Sequence, residues 1–180
     1  MRLFVALDLP DSILNTLSEL TERFQPLARV QWSPVRNLHI TTKFIGEWPE
    51  DRLPVLISAL AAVPRMGAPL IRVEGLGWFP NPYLPRVFWA GVQGDLEDLA
   101  RATDTATHAL GVPKETRPFH PHLTLARIRH AVDAAPLRQE VAKLHSVEFG
   151  QFTPRSQFLY QSQLDPSGSL YTKLAEFPLS

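Results

Sequence analysis

Two segments of the chain repeat one pattern: Leu38-His39-Ile40-Thr41-Thr42-Lys43-Phe44-Ile45 in the first half and Pro121-His122-Leu123-Thr124-Leu125-Ala126-Arg127-Ile128 in the second. Each run is rich in apolar and β-branched residues, the composition of a strand, and each places a threonine two positions after a histidine. In a strand, residues i and i+2 share a face. Each segment therefore presents an imidazole beside a hydroxyl on one side and sends Ile40 or Leu123 into a core on the other. If the two halves form pseudo-symmetric lobes, the two His-Thr pairs can face each other across a cleft.

The elements around the motifs also recur. Arg2 to Leu9 reads as a buried strand, and a helix follows to about Phe24, with Asp11 or Ser12 near its cap and Ile13, Leu14, Leu17, Leu20 and Phe24 forming an apolar stripe. Val30 to Trp32 is a short strand, Leu38 to Ile45 a longer one, and Glu50 to Ala62 a helix that tolerates Pro54 only in its first turn. Leu70 to Val73 and Val87 to Val92 are strands flanking a Gly- and Pro-rich loop from Gly75 to Pro85. A second strong helix, Asp95 to Leu110, is expected to be capped by Asp95 and closed by Gly111. Beyond it come a strand from His122 to Ile128, a short helix from Pro136 to His145, and strands at Val147 to Phe149, Gln157 to Ser162 and Leu170 to Phe177. Helices interspersed with closely spaced strands predict an α+β fold. With 180 residues and no separating linker, the expectation is one domain over residues 1–180.

Several function classes drop out. The chain has no cysteine, so no disulfide framework, thiolate nucleophile or Cys-ligated metal. It has no GxGxxG or GxxxxGK[ST] phosphate loop and no GxSxG elbow. Eighteen Lys and Arg balance eighteen Asp and Glu, so nucleic-acid contact has to be local and not driven by a global positive field. The apolar Leu3 to Leu7 is broken by Asp8 and Pro10, too short for a signal peptide or a membrane span. A cytoplasmic protein without membrane contact is expected.

Paired histidines suit phosphodiester chemistry. One imidazole, unprotonated, can accept a proton from attacking water while the other, protonated, donates to the leaving oxygen. Thr41 and Thr124 would hold non-bridging phosphate oxygens. A metal centre is not expected: catalytic zinc wants three protein ligands, and no HExxH or carboxylate cluster accompanies the motifs. Neither is a cofactor. By strict alternation Lys43 shares the His39 face and Phe44 points into the core, whereas Arg127 falls opposite in parity to His122 and needs a bulge, a strand-end twist or a reach around the edge to meet a phosphate. His108, His120, His130 and His145 read as surface or structural residues.

The chain resembles the 2H phosphoesterase superfamily, through His39-Ile40-Thr41-Thr42 and His122-Leu123-Thr124-Leu125. Arg2-Leu3-Phe4-Val5-Ala6-Leu7, Asn37-Leu38-His39, Lys43-Phe44-Ile45-Gly46-Glu47, Pro85-Arg86-Val87 and Arg117-Pro118-Phe119-His120-Pro121-His122 extend the likeness to the bacterial and archaeal RNA 2',3'-cyclic phosphodiesterases of the LigT or ThpR type, formerly called 2'-5' RNA ligases. The resemblance spans nearly the whole chain. It implies a bilobal fold with two antiparallel sheets lining a central cleft and helices outside. It also implies His39 as proton donor, His122 as acceptor, and a 2'-phosphate product, with Arg127 near the phosphate. Arg117 and Phe44 are candidates for stacking a terminal base, and Phe119 reads mostly as packing.

The expected partners are RNA ends bearing a 2',3'-cyclic phosphate, single-stranded or in tRNA fragments, met by a monomer. Two alternatives stay open on the sequence: 2'-5' RNA ligase activity, in which a 5'-hydroxyl replaces water, and a non-catalytic RNA-end binding module.

Overall fold

The computed structural model describes residues 1–180. It contains nine strands and four α-helices: β1 (Arg2–Asp8), α1 (Asp11–Phe24), β2 (Gln31–Trp32), β3 (His39–Glu47), α2 (Leu53–Ala61), β4 (Ile71–Phe79), β5 (Val87–Gln93), α3 (Glu97–His108), β6 (His122–Arg127), α4 (Ala135–Ala142), β7 (Glu148–Phe152), β8 (Ser156–Asp165) and β9 (Gly168–Pro178). The strands form a four-stranded sheet in the order β3-β1-β8-β9 and a five-stranded sheet in the order β2-β6-β5-β4-β7. All pairings are antiparallel. The fold is α+β, as the element pattern predicts. No helix is long and apolar enough to cross a membrane.

The chain crosses between the sheets. Helix α1 leaves β1 of the first sheet but buries Ile13, Leu17 and Phe24 with Ile71, Val73, Phe88 and Phe149 of the second, and Leu137 of α4 joins the same cluster. Helix α2 buries Leu56 and Leu60 against Leu3, Val5, Ile45 and Leu159 of the first sheet. Helix α3 follows β5 of the second sheet yet is fastened behind the first by Lys43 to Asp104 and Gln157 to Thr103. At about 1.5–3 kcal/mol for each fully buried large apolar side chain, these clusters dominate the stability of the fold. Ile40 and Leu123, the apolar partners within the two motifs, meet in one of them. The helix-free faces are left to line the cleft.

Two local expectations change. Asp95 does not cap α3: the helix starts at Glu97 after Leu96, with no side-chain cap, because burying Leu96 at 1% exposure sets the start. Gly111 does follow the helix end in the left-handed region, at φ 99°. The expected loop from Gly75 shrinks, because β4 continues to Phe79 by pairing Leu76 with Ala90 and Phe79 with Val87. Gly75, at φ 81°, supplies the irregularity that lets this pairing continue.

Lys43 is 5% exposed, and its ammonium donates to Asp104 at 2.6 Å and to the Pro113 carbonyl at 2.8 Å. The Asp104 carboxylate also accepts from the Glu115 N–H at 3.0 Å, tying α3 to the segment that leads to the second motif. Burial alone would raise the Asp104 pKa, but these hydrogen bonds and the neighbouring lysines hold it below its ordinary value of 3.8. Removing one member of such a pair strands the other. Lys43→Met should cost about 3 kcal/mol in urea denaturation at pH 7. Because a depressed carboxylate stabilises fully above its unfolded pKa and loses that contribution as pH falls through the folded one, the gap between variant and parent should narrow below about pH 4.

Candidate active site

His39 opens β3 and His122 opens β6. Their rings are held alike: Nδ1 of His39 meets the Asn37 carbonyl at 2.9 Å, and Nδ1 of His122 meets the His120 carbonyl at 3.1 Å. A carbonyl can only accept, so in both rings Nδ1 carries hydrogen and Nε2 is the atom free to gain or lose a proton. In the first motif the Asn37 side chain also donates to the Ser169 carbonyl at 2.8 Å, bracing the approach to His39 on the β8–β9 hairpin. The two imidazoles stand on different sheets, His39 on β3 and His122 on β6.

After each threonine the strand carries an extra residue. Ala6 faces Thr41 and Val5 faces Lys43, so Thr42 is skipped. Trp89 faces Thr124 and Phe88 faces Ala126, so Leu125 is skipped. A bulge of this kind reverses the inside-outside alternation beyond it. The burial confirms the reversal: Thr42 and Lys43 are consecutive buried residues, as are Leu125 and Ala126. In the first motif the Thr42 hydroxyl repairs the interrupted ladder by donating to the Val5 carbonyl at 3.2 Å.

The bulges settle the placement of three side chains. Lys43 turns into the core and Phe44 turns out onto the His39 face, 67% exposed and 6.3 Å from the Phe4 ring. This corrects both expectations from strict alternation. Arg127 returns to the side of His122 and Thr124 and is exposed there. Arg117 is exposed on the segment before His122, its backbone N–H reaching the Glu115 carboxylate at 3.4 Å. Phe119 packs on the large core, as expected. His108 is structural, its Nδ1 on the Val112 carbonyl at 3.0 Å, and His120, His130 and His145 are exposed.

The surroundings of the two histidines differ. The His39 side chain is only 11% exposed, and its ring lies 4.6 Å from Tyr160, 5.7 Å from Tyr171 and 6.2 Å from Phe4. Asp8 pairs directly across from it and brings Oδ1 to 3.7 Å from Nε2. Asp8 also accepts from Tyr160 and from Lys173. Burial pushes the His39 pKa below 6.5, against the opposing pull of the Asn37 carbonyl and Asp8. His122 instead meets the edge of Phe79 at 5.3 Å, and Phe79 lies 5.3 Å from Trp89. The Trp89 indole lies over Gly77, where a Cβ would come within 2.0 Å of the ring, so only glycine fits there.

Asp8, Tyr160, Tyr171, Lys173, Phe79 and Trp89 were not singled out from the sequence. The one available signal was parity in β1, which puts Phe4, Ala6 and Asp8 on one face. Which strand that face meets is a matter of register, and register is not written in β1.

Comparison with known proteins agrees with this architecture. The LigT-like phosphoesterase family model matches twice, over residues 7–89 and 90–171, one motif in each copy. The RNA 2',3'-cyclic phosphodiesterase of Methanocaldococcus jannaschii is 32% identical over 98% of this chain and 100% of its own length. That of Archaeoglobus fulgidus is 36% identical over 98% and 99%. Among solved structures, TT0787 of Thermus thermophilus superposes with a TM-score of 0.83 at 32% identity, covering 99% of this chain and 98% of that one. E. coli LigT complexed with 3'-AMP gives 0.80 at 26% identity, with the same coverage. The chain belongs to the LigT-like 2H phosphoesterase family.

The placement of Phe44 has a direct check. A core phenylalanine truncated to alanine costs about 3–5 kcal/mol, whereas an exposed one costs within about 0.5 kcal/mol. Phe44→Ala should leave the urea midpoint near that of the parent, and Phe4→Ala, at a position 6% exposed, should lower it clearly.

Proposed function

We propose that the chain hydrolyses RNA 2',3'-cyclic phosphate ends to 2'-phosphomonoesters, using His39 and His122 as general acid and general base without a metal. The observation that carries this reading is the identical holding of the two rings, each with Nδ1 tied to a backbone carbonyl and Nε2 free on a helix-free sheet face. The relatives from M. jannaschii and A. fulgidus bear the name of this activity. The E. coli relative has been crystallised with 3'-AMP, NADP+, ATP and phosphate, all phosphate-bearing ligands. The proton transfers are assigned to the imidazoles themselves, whose Nε2 atoms can gain and lose a proton near neutrality.

In the proposed reaction Nε2 of His122 accepts a proton from water, and the water oxygen attacks phosphorus in line with the P–O3' bond. As that bond breaks, Nε2–H of His39 protonates O3', leaving a free 3'-hydroxyl and a 2'-phosphate. The Thr41 and Thr124 hydroxyls donate to non-bridging oxygens, and the exposed Arg127 fork supplies the charge that a phosphate anion needs. Phe44 and Arg117 offer flat surfaces for the terminal base. Residues 1–180 act as one bilobal unit, because both motifs are needed for one turnover.

EDTA-treated protein incubated with an oligoribonucleotide ending in a 2',3'-cyclic phosphate should yield a 2'-phosphate. His39→Ala and His122→Ala should each lose at least ~100-fold in kcat/KM with unchanged circular dichroism, and near-normal turnover in either variant would exclude the paired mechanism. Thr41→Ala and Thr124→Ala should lose about 10-fold, the equivalent of about 1.4 kcal/mol for one hydrogen bond to a charged group. Because the donor works protonated and burial lowers the His39 pKa, kcat/KM should decline as pH rises through a value below 6.5.

A further inference from the structure

On the floor of the first sheet, Asp8 sits among groups from three strands. It lies across the β1–β3 register from His39, accepts from the Tyr160 hydroxyl of β8, and takes a 2.7 Å hydrogen bond from Lys173 of β9. Lys173 is in turn seated over the Phe158 ring, 3.6 Å from its centroid. Phe4 and Tyr160 stack beneath, with Tyr171 against the edge of Phe4. The carboxylate is thus fixed on both oxygens while remaining 36% exposed. Its Oδ1 stands 3.7 Å from Nε2 of His39, close enough for charge to act and too far for a hydrogen bond.

We infer that Asp8, clamped by Tyr160 and Lys173, is a positioning residue that holds negative charge beside the working nitrogen of His39 while leaving that nitrogen's hydrogen bond open for the substrate. The inference rests on the reading of His39 as proton donor. A donor enclosed by Phe4, Tyr160 and Tyr171 loses its proton too easily, and a carboxylate held just short of contact opposes that loss. Lys173 limits the effect from the other side. The groups that face the imidazole are Asp8 from β1, Tyr160 from β8, and Lys173 and Tyr171 from β9. Burial and the bond to Asp8 hold the Tyr160 phenol well above its ordinary range, so it stays neutral while His39 titrates.

The test follows the His39 ring directly, by NMR titration of its imidazole in the full chain, with the signal assigned by its loss in His39→Gln. Asp8→Asn keeps the shape and an oxygen for Tyr160 but removes the charge, and should move the His39 midpoint to lower pH by about 0.5–1. Lys173→Met, whose parent side chain is 44% exposed and away from the core, should move it to higher pH. The descending limb of kcat/KM should follow in both directions. An unmoved His39 midpoint in both variants overturns the inference and leaves Asp8 a structural anchor for Tyr160. Midpoints that move as stated while the kinetic limb stays fixed support the placement of Asp8 and overturn the donor role of His39.

Discussion

One extra residue after each His-x-Thr lets a single strand serve both the core and the cleft. A regular strand after His39 and Thr41 would present Lys43 to the cleft and bury Phe44. The bulge at Thr42 instead buries Lys43 behind the sheet, where Asp104 and Pro113 receive it, and turns Phe44 outward. At Leu125 the same device buries Ala126 and turns Arg127 outward. Both strands therefore change from a pair of polar groups, His and Thr, to a larger outward side chain, Phe44 or Arg127, within a few residues. The cost is an interrupted ladder, repaired in the first copy by the Thr42 hydroxyl.

Duplication makes the two copies alike where the peptide itself decides, and different where neighbours decide. The carbonyl two residues upstream orients both rings, because that geometry is local. Everything else around them comes from other strands. His39 is enclosed by Phe4, Tyr160, Tyr171 and the Asp8–Lys173 pair. His122 has Phe79 at its edge and Arg127 further along its own strand face. Two nearly equivalent sequence motifs can take unequal protonation roles only through this difference in surroundings, which is why the motifs alone cannot rank acid and base.

The linkage between the copies is also physical. Ile40 and Leu123 belong to one buried cluster, so the backs of the two motif strands are packed into the same core. Lys43, inside the first motif, reaches Asp104, and Asp104 holds the backbone of Glu115 on the segment approaching the second. Each sheet also mixes the two halves, β1 and β3 with β8 and β9 in one, β2 and β4 with β6 and β7 in the other. The halves match the family twice in sequence, yet in space each needs the other.

Short-range physics made much of this legible in the chain. Period-two and helical spacing located most strands and helices, though not the run of β4 through the expected loop to Phe79; the His-x-Thr repeat marked β3 and β6, and the absence of cysteine and phosphate loops narrowed the chemistry. The sequence did not show the bulges, because an extra residue is defined by its partner strand and not by its own. It did not show that Asp8, Tyr160 and Lys173 meet beside His39, since β1, β8 and β9 come together only through register across long separations. The repeat determined which imidazoles and hydroxyls stand on the two motif strands; the pairing of distant strands decided which way they point and what charge each one feels.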